Sequence, residues 1–218
     1  MKTVIIGDSF VSTIKDTWIE SLRIRFDLDI VAHKSFMGGS EYYIYEYFTT
    51  LLAGKKVNFD LVIFSHTEPS RLPNARGFNI NALNATSDVL GKFPPAVKQA
   101  AKMYYEELYH QNYHSTVYNL LVKEIQSLCS QLSIKQIHLE GFDIPAPRQS
   151  GLWVSGGLHN IARLGSKDYY KDASLLNHFD ALTHKKFSDW LIPRVENYFA
   201  IPAFTVVSLA DNANTFGL

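Results

Sequence analysis

A three-layer α/β/α fold around a central, mostly parallel sheet is predicted by three features of this chain. Short apolar runs at residues 3–6, 29–32, 58–65 and 135–139 are separated by longer stretches with helical periodicity. The third run is almost continuously apolar, as a strand buried on both faces must be. The chain has 218 residues, 46% hydrophobic and 19% charged, which suits one compact domain, 1–218, with a substantial core. Strands that alternate with helices require right-handed crossovers and a sheet covered on both sides.

In chain order, Thr3-Val4-Ile5-Ile6 reads as a first strand that breaks at Gly7-Asp8-Ser9-Phe10. Ile14, Trp18, Leu22 and Phe26 then recur every fourth residue and mark the apolar face of a helix. A second strand, Asp29-Ile30-Val31-Ala32, leads into Met37-Gly38-Gly39-Ser40 and a Tyr-rich helix over 41–52. The third strand, 58–65, is followed by an irregular segment, 68–94, and then by helical pattern over 95–132. A fourth strand at 135–139 precedes a second irregular segment, 142–176, and a last apolar-periodic helix from Phe187 to Phe199. Structureless loops of that length tend to be functional. Because they follow strands, they belong at the carboxyl edge of the sheet, where open α/β folds bind ligands. In the tail, 200–218, Phe204-Thr205-Val206-Val207 reads either as an edge strand or as a homo-oligomer contact.

Composition removes several functional classes. Lys plus Arg and Asp plus Glu number 21 each, so no overall charge draws the surface to nucleic acid or to an anionic membrane. No apolar run approaches the roughly 20 residues of a spanning helix, and the N-terminus carries no signal-peptide pattern. A cytoplasmic protein is expected, or one released by lysis or built into a virion. Cys129 is the single cysteine, which excludes an internal disulfide and reads as a buried thiol. Neither a phosphate-binding loop nor a dinucleotide fingerprint occurs, and no cofactor is called for. His110 and His114 have the four-residue spacing of two helical metal ligands, but no Glu follows His110 and no third ligand is evident. They read as a solvated helix face, and the stripe Tyr42, Tyr43, Tyr45 and Tyr47 as helix packing.

The break after the first strand carries the chemistry. Gly7 relieves steric limits where the backbone turns, and Asp8 can hydrogen-bond locally to hold that turn. The Ser9 amide then lies near a helix N-terminus, where negative charge is favoured. These are the requirements of a serine nucleophile and its oxyanion. An Asp/Ser cap between strand and helix would look the same. Near the other end, Asn177-His178-Phe179 stands just ahead of the last helix, with His184 six residues after His178.

An N-terminal Gly-Asp-Ser with a C-terminal His before the last helix resembles the SGNH, or GDSL-type, hydrolases. The resemblance implies their flavodoxin-like fold and hydrolysis of carboxylic esters through a serine acyl-enzyme, without a metal. It implies Ser9 as nucleophile and His178 as general base, with Gly38, or failing it Gly39, as the oxyanion glycine of block II. Val11 stands where the nucleophile elbow of α/β-hydrolases has a glycine, which sets the chain apart from that other fold. Two departures from the SGNH pattern accompany the resemblance. Ser65-His66-Thr67 replaces the block III segment that supplies an Asn, which leaves Thr67 or Ser65 to donate by its hydroxyl. Leu175 stands where an Asp is expected three residues before the His, so Asp172 is the nearest upstream carboxylate, and a backbone carbonyl is the alternative partner for His178. Arg71 either binds an acidic group of the substrate or pairs with Glu68. A small-molecule or glycan-linked ester is the expected substrate. The rival readings are an SGNH-like binding or structural module, and an acyltransferase using the same site.

Overall fold

The computed structural model describes residues 1–54, 58–74, 80–86, 93–144, 146–165, 179–201 and 203–209. Strands β1 (Lys2–Gly7), β2 (Asp29–Ser35), β3 (Leu61–His66), β4 (Lys135–Glu140), β5 (Leu152–Ser155) and β6 (Thr205–Ser208) form one sheet. Their order is β2-β1-β3-β4-β5-β6, and every neighbouring pair is parallel. The helices are α1 (Trp18–Phe26), α2 (Glu41–Ala53), α3 (Ala82–Thr86), α4 (Pro95–Met103), α5 (Gln111–Gln131), α6 (Leu158–Gly165) and α7 (Ala181–Ala200). This is the three-layer α/β/α arrangement. Among the described residues no helix is long and apolar enough to cross a membrane.

Strand alternation builds a core on each face. Ile5, Ile63, Ile137, Leu139, Leu152 and Val154 point to one side, where Trp18 and Leu22 of α1, Ile161 of α6 and Phe187, Leu191 and Val195 of α7 cover them. Val4, Ile6, Val62 and Phe64 point to the other, against Ile44 and Phe48 of α2 and Ile125 and Cys129 of α5. The helices are capped as their sequences allow. Thr17 Oγ1 accepts the Ile19 N–H at the start of α1, and Asp180 Oδ1 accepts the Thr183 N–H of α7 at 2.7 Å.

Four readings of the sequence change. The first helix begins only at Trp18, because Thr17 caps it and Ile14 lies before the cap. The helical pattern over 95–132 is two helices joined by a π turn, Tyr104–Leu108, after which His110 caps α5. The segment 142–176 contains β5 and α6: its strand is four residues long, bracketed by Gly151 and Gly156 at φ 81° and 99°, too short to show a period. The segment 68–94 contains α3 and an antiparallel bridge between Leu72 and Ile80. In the tail the edge-strand alternative holds, since β6 pairs with β5.

The order in which strands are laid across the sheet reverses between β1 and β3. β2 lies on one side of β1 and every later strand lies on the other. Such a switch point opens a crevice beyond the carboxyl ends of the two strands. Those ends are Gly7 and His66, which lead into Asp8-Ser9 and Thr67.

Candidate active site

Gly7 lies opposite Ser65 across β1 and β3. A Cβ on Gly7 would fall 2.5 Å from the Ser65 Cβ, so the glycine is demanded by the neighbouring strand rather than by a sharp turn. Asp8 leaves the strand and caps a single 3-10 turn, Ser9–Val11, its Oδ1 accepting the Phe10 N–H at 3.1 Å. The same oxygen accepts the Ser65 hydroxyl at 2.8 Å, and the Ser35 hydroxyl donates to the Asp8 carbonyl at 2.8 Å. Ser9 is thus held half-buried at the switch point, and its N–H bonds to no described residue. Asp8 itself is fully buried, and its Oδ2 has no partner among the described residues. Burial pushes its pKa up to about 6, against the opposing charge of Arg71 and the bonds from Phe10 and Ser65.

The two candidate glycines separate clearly. Gly39 donates its N–H to the Phe36 carbonyl at 2.7 Å, which removes it as an oxyanion donor. Gly38 is buried in the left-handed region, φ 68°, and its N–H bonds to no described residue. Phe36 donates to the Gly7 carbonyl at 2.7 Å, so the Gly38 loop is tied to the strand end that carries Ser9. Ser65 is also removed as a donor, because its hydroxyl is spent on Asp8; it positions that carboxyl instead. Thr67 is 2% exposed, its N–H donates to Glu41 Oε2 at 3.2 Å, and its hydroxyl has no partner among the described residues.

Behind this edge runs a polar chain that sequence reasoning missed. His66 Nδ1 lies 2.7 Å from Glu41 Oε1, His66 Nε2 lies 2.8 Å from His138 Nδ1, and His138 Nε2 lies 2.8 Å from Gln136 Oε1. Gln136 Nε2 donates to the Ser150 hydroxyl, so its oxygen must accept from His138. Burial, with His66 alongside, pushes the His138 pKa well below the ordinary histidine value, and the ring is neutral. Its Nδ1 therefore accepts from His66 Nε2–H, which leaves one proton between His66 and Glu41. The two imidazoles are nearly coplanar and meet edge to edge, centroids 5.1 Å apart, while the Trp153 ring stacks on His138 at 4.2 Å. The signal was present in the strands: Phe64 and His66, and Gln136 and His138, occupy alternate positions on one face.

Arg71, 6% exposed, pairs through Nε with Glu68 Oε1 at 3.0 Å and lies 4.8 Å over the Phe142 ring. Phe142 also stacks on His159, whose pKa is lowered chiefly by burial. Gly141 packs where a Cβ would sit 2.9 Å from Asp8 Oδ2 and 2.5 Å from the His66 carbonyl oxygen. His178 and Asp172 lie outside the described residues. Phe179 does not, and its ring centroid is 5.6 Å from that of Phe10, in the turn that begins with Ser9. His184 packs edge-on against Phe179, and its Nδ1 meets the Trp18 N–H at 3.5 Å. Of the pair read as a solvated face, His110 is exposed and caps α5, whereas His114 is half-buried, its Nε2 2.6 Å from the Tyr104 hydroxyl in an aromatic cluster.

No protein-family model and no curated protein sequence matches the chain. It is similar to several solved structures, among them the following three. One is an acetyl xylan esterase: 10% identity, TM-score 0.42, 100% of this chain and 80% of that one. Another is a Desulfitobacterium hafniense protein assigned to the G-D-S-L lipolytic family: 12% identity, TM-score 0.38, 96% and 78%. The third is a GDSL-like lipase from Bacteroides thetaiotaomicron: 12% identity, TM-score 0.36, 95% and 67%. Likeness at this level fixes neither activity nor substrate.

Proposed function

We propose that the chain is a serine esterase of the SGNH type. The observation that carries this reading is the Asp8-capped turn at the switch point, which presents Ser9 at the strand end to which Phe36 ties the Gly38 loop, with the Ser9 and Gly38 N–H groups both free of a described partner. Ser9 Oγ attacks the ester carbonyl carbon while His178 accepts its proton. The oxyanion draws on the Ser9 and Gly38 N–H groups and the Thr67 hydroxyl. Collapse breaks the C–O bond to the leaving alkoxide, which takes the proton from His178. Water then attacks the acyl-enzyme with the same proton shuttle and releases the carboxylic acid and free Ser9. Asp172 or a backbone carbonyl orients the imidazole.

A fluorophosphonate probe tests the reading. The folded protein becomes labelled on Ser9, and Ser9→Ala is neither labelled nor active on short-chain aryl esters. A folded protein that resists the probe, or a Ser9→Ala variant that keeps wild-type turnover, overturns it. Thr67 in place of an amide donor, together with Leu175 in place of an acid, favours the binding module as second reading, and absence of labelling selects it. Running the assay with an added alcohol and measuring the mixed ester formed separates acyl transfer from hydrolysis.

A further inference from the structure

At the same edge of the sheet lies a cavity of about 400 Å3. It is bounded by the start of α2, the segment after β3 and the corner between α4 and α5. Much of its wall is apolar or aromatic, with Leu72, Val117, Leu121 and Tyr118 among the residues. Two residues of that wall, Ser40 and Arg71, carry buried donors. Ser40 occupies the N-cap of α2, yet its hydroxyl makes no capping bond; it is 3% exposed and without a described partner. Arg71 spends Nε on Glu68, while its Nη1 is buried and also without a described partner. A buried donor without an acceptor destabilises a fold, and two in one cavity wall mark a site that an acceptor completes.

The charge of the completing group follows from the same wall. Glu68 pairs with Arg71, whose charge also acts on the buried Asp8, and Glu41 stands beside Ser40, 3% exposed. A second carboxylate there would face both. A neutral carbonyl oxygen can accept from Arg71 and Ser40 together, and an adjoining N–H finds an acceptor in either glutamate. The geometry points to this cavity as the subsite for the non-reacting part of the ester, where Arg71 Nη1 and Ser40 Oγ read the carbonyl of a secondary amide and a carboxylate is refused. As a substrate subsite it rests on the esterase reading; as a binding site it does not.

Three para-substituted phenols test the assignment: 4-acetamidophenol, 4-methylphenol and 4-hydroxybenzoate. Titrated into the Ser9→Ala protein and followed by NMR, the amide should bind at least about tenfold tighter than the methyl compound, the carboxylate weakest. Ser40→Ala loses no cap bond, and in it and in Arg71→Met the amide-to-methyl ratio should fall towards one. Equal binding of the three phenols, or a ratio untouched by both substitutions, overturns the proposal. The wild-type protein is then given the three acetate esters, with rates divided by their hydrolysis in buffer. The same order in kcat/KM extends the assignment to substrate. The binding order without cleavage of any ester would overturn the esterase reading and leave the amide site standing.

Discussion

Exchanging Asp8 for Asn should make the protein more stable at neutral pH. The carboxyl is fully buried, and its pKa rises from 3.8 to about 6 on folding. At 1.36 kcal/mol per tenfold change in proton affinity, that difference corresponds to about 3 kcal/mol. Because the folded state binds the proton more tightly, stability contributed by this group is full below pH 3.8. It is lost as pH rises towards 6 and stays lost above. Asn cannot ionise, and its Oδ1 can still accept from the Phe10 N–H and the Ser65 hydroxyl. Urea denaturation at pH 3.5 and pH 7.5 should therefore show similar stabilities at the lower pH and a gain of about 3 kcal/mol for Asp8→Asn at the higher. In a melting experiment that gain is on the order of 6–12 °C for a domain of this size. Parallel pH profiles for the two proteins, or a wild type that gains on the variant as pH rises, would refute the reasoning.

Glu41→Ala strips partners from two buried groups, His66 Nδ1 and the Thr67 N–H, and should cost about 2–6 kcal/mol in urea denaturation. Glu41→Gln can present an N–H to the first and an oxygen to the second, so a loss below about 1 kcal/mol is expected there; equal losses would mean that His66 carries a charge which needs the carboxylate. His178→Ala should abolish ester turnover, and Asp172→Asn should cost less, because a triad carboxylate orients the imidazole rather than accepting a proton. Side-by-side turnover of the two folded variants checks this, and equal damage would mean that a full triad operates.

What could be read from the sequence was whatever repeats at a readable period. The runs containing Ile5, Ile63 and Ile137 are long enough to declare buried strands, and helices with an apolar face declared themselves as well. β5 escaped because Leu152-Trp153-Val154 is too short to carry a period between its glycines. The division of the stretch over 95–132 escaped because a π turn preserves helical spacing on both sides of the break. Within the site, Ser9 and Gly38 announce themselves through local chain geometry, which residue type encodes directly. The exclusion of Gly39 and Ser65 depends on the Phe36 carbonyl and the Asp8 carboxyl, one a matter of backbone trajectory and the other of a contact between strands 57 residues apart. The Glu41–His66–His138–Gln136 chain likewise spans three elements, brought together by the register of β3 on β4 and by the placing of the start of α2 against β3.

The packing of α7 on α1 ties the last described helix to the first. Trp18 meets Phe187 edge to face at 5.6 Å, and Phe10 meets Phe179. A ribosome that has delivered β1 through β5 has therefore made a sheet whose one face still lacks Phe187, Leu191 and Val195, each about 1.5–3 kcal/mol of burial. β1 lies inside the sheet, so the strand that emerges first cannot be finally enclosed until the helix near the end arrives. Folding must wait on contacts between residues more than 160 apart, the slow, high-contact-order regime. Nascent chains should need shielding of that open face until α7 has left the exit tunnel.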